Sequence, residues 1–159
     1  MGLPQSVRGE ESIEVGAVPE TVWALVADVT RMGEWSPECR RCEWLDGATG
    51  ATVGARFRGH SRIGLYRWTR VCRIIAATPG NEFSFVTLGS RGEEQTHWRY
   101  RFEPSGGGTR LIESFENVSR PRYVEVFYRL PGGKRTRVRQ IHAGIRRTLE
   151  RIKAAAEAL

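Results

Sequence analysis

The chain has 159 residues, of which 40% are hydrophobic and 27% are charged, and its formal net charge is +7. This length fits one domain with a core of its own, and the composition excludes disordered, collagen-like and disulfide-rich proteins. No run reaches the roughly 18 apolar residues of a membrane span, the first residues lack the apolar core of a signal peptide, and three cysteines favour a reducing compartment. We expect one cytoplasmic domain over residues 1–159, with a flexible N-terminus over residues 1–10.

The first part of the chain predicts a strand followed by two short helices. SIEVGA (12–17) is typical of a short strand. Residues 18–29 carry apolar side chains at helical spacing, and Pro19 suits the first turn of a helix. Residues 30–37 predict a second helical turn, which ends where Pro37 restricts the residue before it.

Six further strands follow, separated by turn sequences such as TPGN and PSGGGT. A connecting stretch (119–134) leads to a long C-terminal helix over 136–158, with an apolar stripe on one side and arginines on the other. The order β-α-α-β-β-β-β-β-β-α predicts an α+β fold in which this helix covers one curled, seven-stranded antiparallel sheet. The six predicted strands cover residues 38–45, 54–61, 66–77, 82–88, 95–104 and 109–118.

Alternation within the strands predicts that one face of the sheet is aromatic. In WRYRFEP, Trp98, Tyr100 and Phe102 share one face, whereas Arg99 and Arg101 share the other. An aromatic sheet face beneath an amphipathic helix forms either a solid core or a cavity for an apolar small molecule.

Several stretches over nearly the whole chain form a recognisable pattern. They are PETVWALVADVTRMGEWSPE (19–38), WLDGATGATVGARFRG (44–59), Trp68 with Cys72, GGGTRLIESF (106–115) and TLERIKAAAE (148–157). In this order they resemble the START-like or SRPBCC superfamily, in its polyketide cyclase/dehydrase-like branch. The resemblance implies a helix-grip fold, with the sheet wrapped around the C-terminal helix. It also implies binding of a hydrophobic molecule such as a polyketide or lipid, or alternatively a polyketide cyclase or dehydratase activity.

The predicted ligand-binding residues come from the aromatic face, the helix stripe and the segments beside the cavity mouth. Trp35 either packs the second helix onto the sheet or contacts ligand. The segment YVEVFYRLPGGK is interpreted as a gate with Gly132 and Gly133 as its hinge. The full set is Trp35, Phe57, Trp68, Phe83, Phe85, Trp98, Tyr100, Phe102, Phe115, Tyr123, Phe127, Ile141 and Ile145.

Three residues are candidates for catalysis, because closing a ring in a poly-β-ketone needs chiefly a folded chain and one acid or base. His142, at the border of the helix stripe, is either a core histidine or a base. Glu113 shares a face with Leu111 and Phe115, so it is either a buried acid or part of an ion pair at the sheet edge. Arg70 is the expected partner of Glu113 and a candidate to stabilise an oxyanion.

The C-x-x-C of ECRRCEW (38–44) is interpreted as ordinary strand. Residues three apart on a regular strand face opposite sides, so Cys39 and Cys42 would share neither a metal ion nor a disulfide. A zinc site would need a second ligand pair, and only Cys72 remains. His60 and His97 alternate with outward arginines. We therefore expect neither a metal nor a cofactor.

Basic residues are concentrated in the last third of the chain. Residues 120–153 hold eleven Lys or Arg and two acids, a net charge of about +9. Such a field attracts any anion, but the helix lacks aromatic residues between its arginines, so we expect no nucleic acid partner. Transient contact with an anionic membrane fits a carrier of apolar cargo. The sequence leaves monomer and homodimer open.

Overall fold

The computed structural model of the protein describes residues 7–119, 126 and 129–159. Within these residues it confirms the predicted α+β fold and the helix-grip arrangement. No helix in this described part is long and apolar enough to cross a membrane. The elements are β1 (Arg8–Val15), α1 (Pro19–Ala27), a 3-10 turn (Val29–Arg31), α2 (Met32–Trp35), β2 (Cys39–Trp44), β3 (Arg56–Ile63), β4 (Tyr66–Thr78), β5 (Glu82–Leu88), β6 (Glu94–Ser105), β7 (Gly108–Asn117) and α3 (Gly133–Glu157).

The strands form one open antiparallel sheet in the order β1-β7-β6-β5-β4-β3-β2. Strands β2 to β7 form a meander, and the last of them, β7, pairs on its other side with β1. Strand β1 begins at Arg8 and not at Ser12, because its pairing with β7 continues as far as Glu116. Residues 8–10 are therefore part of the sheet and not of the flexible N-terminus that we expected.

Helix α3 has a buried C-terminal half and a less buried N-terminal half. Ile145, Leu149 and Ile152 are each at most 3% exposed, whereas Val138 and Ile141 are only half-buried. The helix packs chiefly against β1, α1 and α2. The middle strands are thus left with space between themselves and the first half of α3.

Side chains alternate across most of the sheet as predicted. Tyr100 and Phe102 are buried under the helices, while Arg99 between them faces outward. The outer face is crossed by Arg–Glu and His–Glu contacts between partly exposed side chains, and surface pairs of this kind contribute about 0–1 kcal/mol each. They include His60–Glu43, Arg73–Glu94, His97–Glu94 and Arg99–Glu82.

The residues of the C-x-x-C are part of a strand, as predicted, but the regular alternation fails in β2, so the expected placement of the two cysteines on opposite faces is wrong. Cys42 pairs with Gly59 and Cys39 with Ser61, two positions along β3, so that Arg40 is an extra, bulged residue. Because a bulge inserts one residue into one strand, the two cysteines face the same side instead of opposite sides. Both are buried, and their sulfur atoms lie 3.3 Å apart.

Candidate ligand-binding cavity

A cavity of about 630 Å³ lies between the sheet, α2 and the first half of α3. Its volume falls within the roughly 300–1,000 Å³ of sites that bind small molecules. Of the two alternatives that the sequence leaves open, a solid core or a cavity, this end of the molecule therefore has the cavity. Predicted residues that line the cavity are Phe57, Trp68, Phe85, Trp98, Tyr100, Phe115, Ile141 and Ile145, together with the catalytic candidates Arg70 and Glu113.

Other predicted residues lie elsewhere. Phe83 and Phe102 are in the closed core at the end of the sheet that α1 covers. Trp35 is 2% exposed and has a packing position, with the Arg31 guanidinium 5.4 Å from its ring centroid. Tyr123, Phe127 and most of the expected gate lie outside the described residues. The roles of all these residues in binding stay predictions.

Sequence reasoning missed the polar part of the lining. Arg137 of α3 donates to Glu38 at 2.8 Å and links the helix to the start of β2. Thr96 Oγ1 donates to Asn117 Oδ1 at 2.9 Å. Thr96 shares the parity of Trp98, so alternation could have identified it. Glu38 is inside the predicted strand 38–45, but the structure places it just before β2, next to the bulge that breaks the alternation.

Tyr100 and Glu113 form the polar pair that is most fully buried. They are directly opposite on β6 and β7, and the Tyr100 hydroxyl donates to Glu113 Oε1 at 2.8 Å. Burial raises the pKa of Glu113 to about 8, although the hydrogen bond from Tyr100 opposes this shift. Burial also raises the pKa of Tyr100, and the neighbouring carboxyl group adds to it. At neutral pH the pair is therefore a neutral acid beside a neutral phenol.

One oxygen of Glu113 is left without a partner. Oε2 is buried and bonds to no atom of the described residues. An unpaired buried polar atom costs free energy, which a ligand atom can recover by bonding to it. In the protonated acid this position can carry the O–H, so it suits a ligand oxygen that accepts a hydrogen bond.

Of the other two catalytic candidates, Arg70 does not make the predicted contact with Glu113, and His142 has the core-histidine position that was one of its two predicted alternatives. Arg70 lines the cavity, but the partner of Glu113 is Tyr100 and not Arg70; Arg70 Nη1 donates to the Thr69 carbonyl at 3.3 Å. His142 is outside the cavity lining. Its Nδ1 lies 3.0 Å from Glu11 Oε1 on β1, and its ring meets Phe115 edge-on. The structure thus gives His142 the position of a packed histidine that ties α3 to β1.

A second depression, of about 710 Å³, lies on the outer face of the sheet. Five of its thirteen lining residues are charged, and two of these, Glu82 and Arg99, already pair with each other at 2.9 Å. Apolar ligands are better matched by the aromatic interior cavity. Among residues 7–119, 126 and 129–159, no three His, Cys, Asp or Glu side chains come together as metal ligands.

The fold and cavity agree with comparisons to known proteins. A family model described as "Polyketide cyclase / dehydrase and lipid transport" matches residues 6–157. The chain therefore belongs to this family, in the polyketide cyclase-like branch of the SRPBCC superfamily. Among curated proteins there is no significant match.

Solved structures extend this comparison. The Polyketide_cyc-like protein Cgl2372 from Corynebacterium glutamicum is 33% identical, with 98% of this chain and 94% of that chain covered and a TM-score of 0.66. The Zhui aromatase/cyclase from Streptomyces sp. R1128 is 17% identical, with 96% and 94% covered and a TM-score of 0.69. The di-domain ARO/CYC StfQ from the steffimycin biosynthetic pathway is 14% identical, with 96% and 51% covered and a TM-score of 0.76. The last two similarities show the fold alone.

Proposed function

We propose that the protein binds a hydrophobic, ring-containing small molecule, such as a polyketide or a similar apolar compound, in the cavity between the sheet and α3. The observation that carries this proposal is the hollow of about 630 Å³ with a mainly apolar lining that includes aromatic rings from strands β3 to β7. Space in a protein interior is unfavourable unless water or a ligand occupies it, because the lining atoms lose their contacts.

The lining favours flat, unsaturated ligands. Phe57 and Phe85 meet edge-to-face with ring centroids 5.2 Å apart, and Trp98 lies 5.7 Å from Phe115. Aromatic rings at such spacings can receive a further ring by stacking or edge contact. The unpaired Oε2 of Glu113 adds a requirement for a ketone or hydroxyl oxygen on the ligand.

The test is native mass spectrometry of the purified protein, followed by identification of any compound released on unfolding. We expect a bound apolar compound that carries at least one oxygen. Purified protein that is free of cargo and that binds none of a panel of aromatic polyketides and lipids would contradict the proposal.

A second candidate function is cyclisation or dehydration of a bound polyketide, which the buried acid Glu113 favours. In ring closure an enol carbon attacks a ketone carbon. Glu113 donates its proton to the ketone oxygen and regains one from the enol hydroxyl, so no charge accumulates. The hydrogen bond from Tyr100 holds the carboxyl group in place.

This second function is tested with a synthetic poly-β-ketone thioester. Glu113→Gln keeps the shape but cannot supply the proton, so we expect kcat to fall by about 100-fold or more, with KM little changed. Glu116→Gln, on the exposed face of the same strand, is the matched control. Equal activity of the two variants would exclude Glu113 as the acid.

A further inference from the structure

All three cysteines of the chain line the cavity, and two of them are in contact. Cys39 Sγ lies 3.3 Å from Cys42 Sγ, and Met32 Sδ lies 3.7 Å from the latter. Gly59 of β3 faces this pair, and a methyl group there would still be 3.6 Å from the nearer sulfur atom. Both cysteines line the hollow beside Gly59, which has no side chain, although the two residues are only 8% and 4% exposed.

The two thiols differ in their surroundings. The hydrogen bond from Cys42 is the main reason that the pKa of Cys39 lies below its ordinary value, and burial opposes this effect. The same contact, together with burial, raises the pKa of Cys42. Burial also raises the pKa of the Cys72 thiol. The thiolate is the nucleophile in thiol chemistry, and Cys39 is also the more exposed of the two residues, at 8% against 4%. Both observations favour Cys39 as the attacking group and Cys42 as the second, resolving thiol.

We propose that Cys39 and Cys42 form a thiol–disulfide exchange site in the cavity wall, and that small uncharged disulfides are its co-reactants. The Cys39 thiolate attacks one sulfur of RSSR, so that a mixed disulfide forms and RS⁻ leaves. Cys42 gives up its proton and attacks the Cys39 sulfur, and the second RS⁻ leaves. The protein dithiol loses two electrons and two protons in total, and these leave as two RSH molecules.

The β2 bulge makes the intramolecular step feasible. The bond requires the sulfur atoms to approach from 3.3 Å to about 2.05 Å. Cys39 and Cys42 oppose Ser61 and Gly59, which are two apart on one face of β3. Two residues that are two apart on a strand have Cα atoms roughly 6.6–6.8 Å apart. This spacing of Gly59 and Ser61 corresponds to the upper end of the Cα–Cα distances found in disulfides.

The position of the pair restricts which molecules can react. Reagents must enter the hollow and pass its aromatic lining, so compact, uncharged disulfides react in preference to charged or bulky ones. Oxidation would also remove the Cys42 S–H that contacts Met32 of α2. The redox state of Cys39 and Cys42 would therefore affect the packing of α2.

The test treats the full-length protein with bis(2-hydroxyethyl) disulfide and follows the intact mass and the position of each modification. We expect the wild type to lose two hydrogen atoms through a Cys39–Cys42 bond. Cys42→Ser should accumulate one mixed disulfide on Cys39, whereas Cys39→Ser should stay unmodified. Cys72→Ser should behave as the wild type, and circular dichroism checks that all variants are folded.

Three results would overturn the proposal: a wild type that keeps three free thiols, a mixed disulfide that forms first on Cys72, or equal reaction of Cys39→Ser and Cys42→Ser. Peptide mapping of the oxidised wild type decides the question even where a variant fails to fold. These measurements need no cavity ligand, so their outcome does not depend on whether the proposed binding function is correct.

Discussion

Glu113 illustrates how burial decides what a single carboxyl group does. It is 4% exposed, its pKa is raised to about 8, and its one partner among the described residues is a neutral hydroxyl. The sequence could not settle its orientation, because Leu111 and Phe115 on its own face and Ile112 on the other are all buried. Alternation identifies which residues share a face, but not which face is inside when both are apolar.

The raised pKa of Glu113 predicts a pH dependence of stability. The folded state binds this proton up to about pH 8, whereas an unfolded glutamate releases it near its ordinary pKa of about 4.5. The folded state therefore holds more protons between these values, and the free energy of unfolding falls as pH rises, by up to about 1.4 kcal/mol per unit. Glu113→Gln should remove this slope.

The measurement is urea unfolding of both proteins from about pH 5 to about pH 8, with the difference between them isolating the contribution of Glu113. We expect the variant to gain stability relative to the wild type as pH rises. A difference that is constant over this range would mean that Glu113 is ionised throughout, and the acid role would then be wrong.

The β2 bulge depends on its contact with α2. The backbone of Gly33 lies directly against the Arg40 carbonyl, where a Cβ would overlap the carbonyl oxygen. Gly33 is thus required by the close approach of helix and strand. This contact presses α2 onto the strand segment that carries the two thiols, and it brings Met32 to the Cys42 sulfur atom.

Gly33→Ala should therefore destabilise the protein, although alanine ordinarily favours helices. We expect a loss of about 1–3 kcal/mol in the free energy of unfolding, the usual cost of a side chain without room. Gly50→Ala is the matched control, because a Cβ added at Gly50 would meet no atom within 4 Å and the backbone angles there are ordinary. Equal stability of the two variants in urea would show that α2 is not pressed onto the bulge.

Most elements could be predicted because glycine-rich turns separate them and because their periodicities are regular. The bounds of β5 agree with the prediction at both ends, and those of β6 within one residue. The bulge could not be predicted, since it breaks the period-2 rule on which every assignment of a face relied. One inserted residue at Arg40 was enough to bring Cys39 and Cys42 to the same face, where regular alternation predicts opposite faces.

At the scale of the whole domain, the decisive feature is that α3 packs closely against only a small part of the sheet. The aromatic residues divide into two groups: Phe83 and Phe102 pack in the closed core, whereas Phe85 and Trp98 face the hollow. The sequence predicted one aromatic face but not this division. The division depends on which parts of the sheet α1, α2 and α3 contact. No local sequence pattern encodes the distance between a helix and the sheet.

The basic residues of α3 predict binding to anionic membranes. Lys134, Arg135 and Arg139 are exposed on the half of the helix that borders the cavity. We expect binding to vesicles that contain phosphatidylserine, little binding to phosphatidylcholine alone, and loss of binding at high salt. Arg135→Glu with Arg139→Glu should abolish it. The control is Arg67→Glu with Arg110→Glu, which makes an equal charge change on the sheet and should leave vesicle binding intact. If both double variants lose binding equally, the effect is a non-specific effect of net charge.

The most direct test of the hollow is to fill it. Gly59 is buried in the cavity wall, and its Cβ position meets both neighbouring sulfur atoms at ordinary contact distance, so Gly59→Leu projects its side chain into the space where ligand would lie. Gly50→Leu makes the same change on an exposed loop with nothing nearby. Binding of the uncharged apolar dye N-phenyl-1-naphthylamine is followed by fluorescence for both variants and the wild type.

We expect Gly59→Leu to weaken dye binding by at least about tenfold, a change of about 1.4 kcal/mol, at unchanged or higher stability, while Gly50→Leu binds as the wild type does. Undiminished dye binding by a folded Gly59→Leu protein would mean that guests do not enter this cavity. Both the carrier and the cyclase proposals would then be wrong.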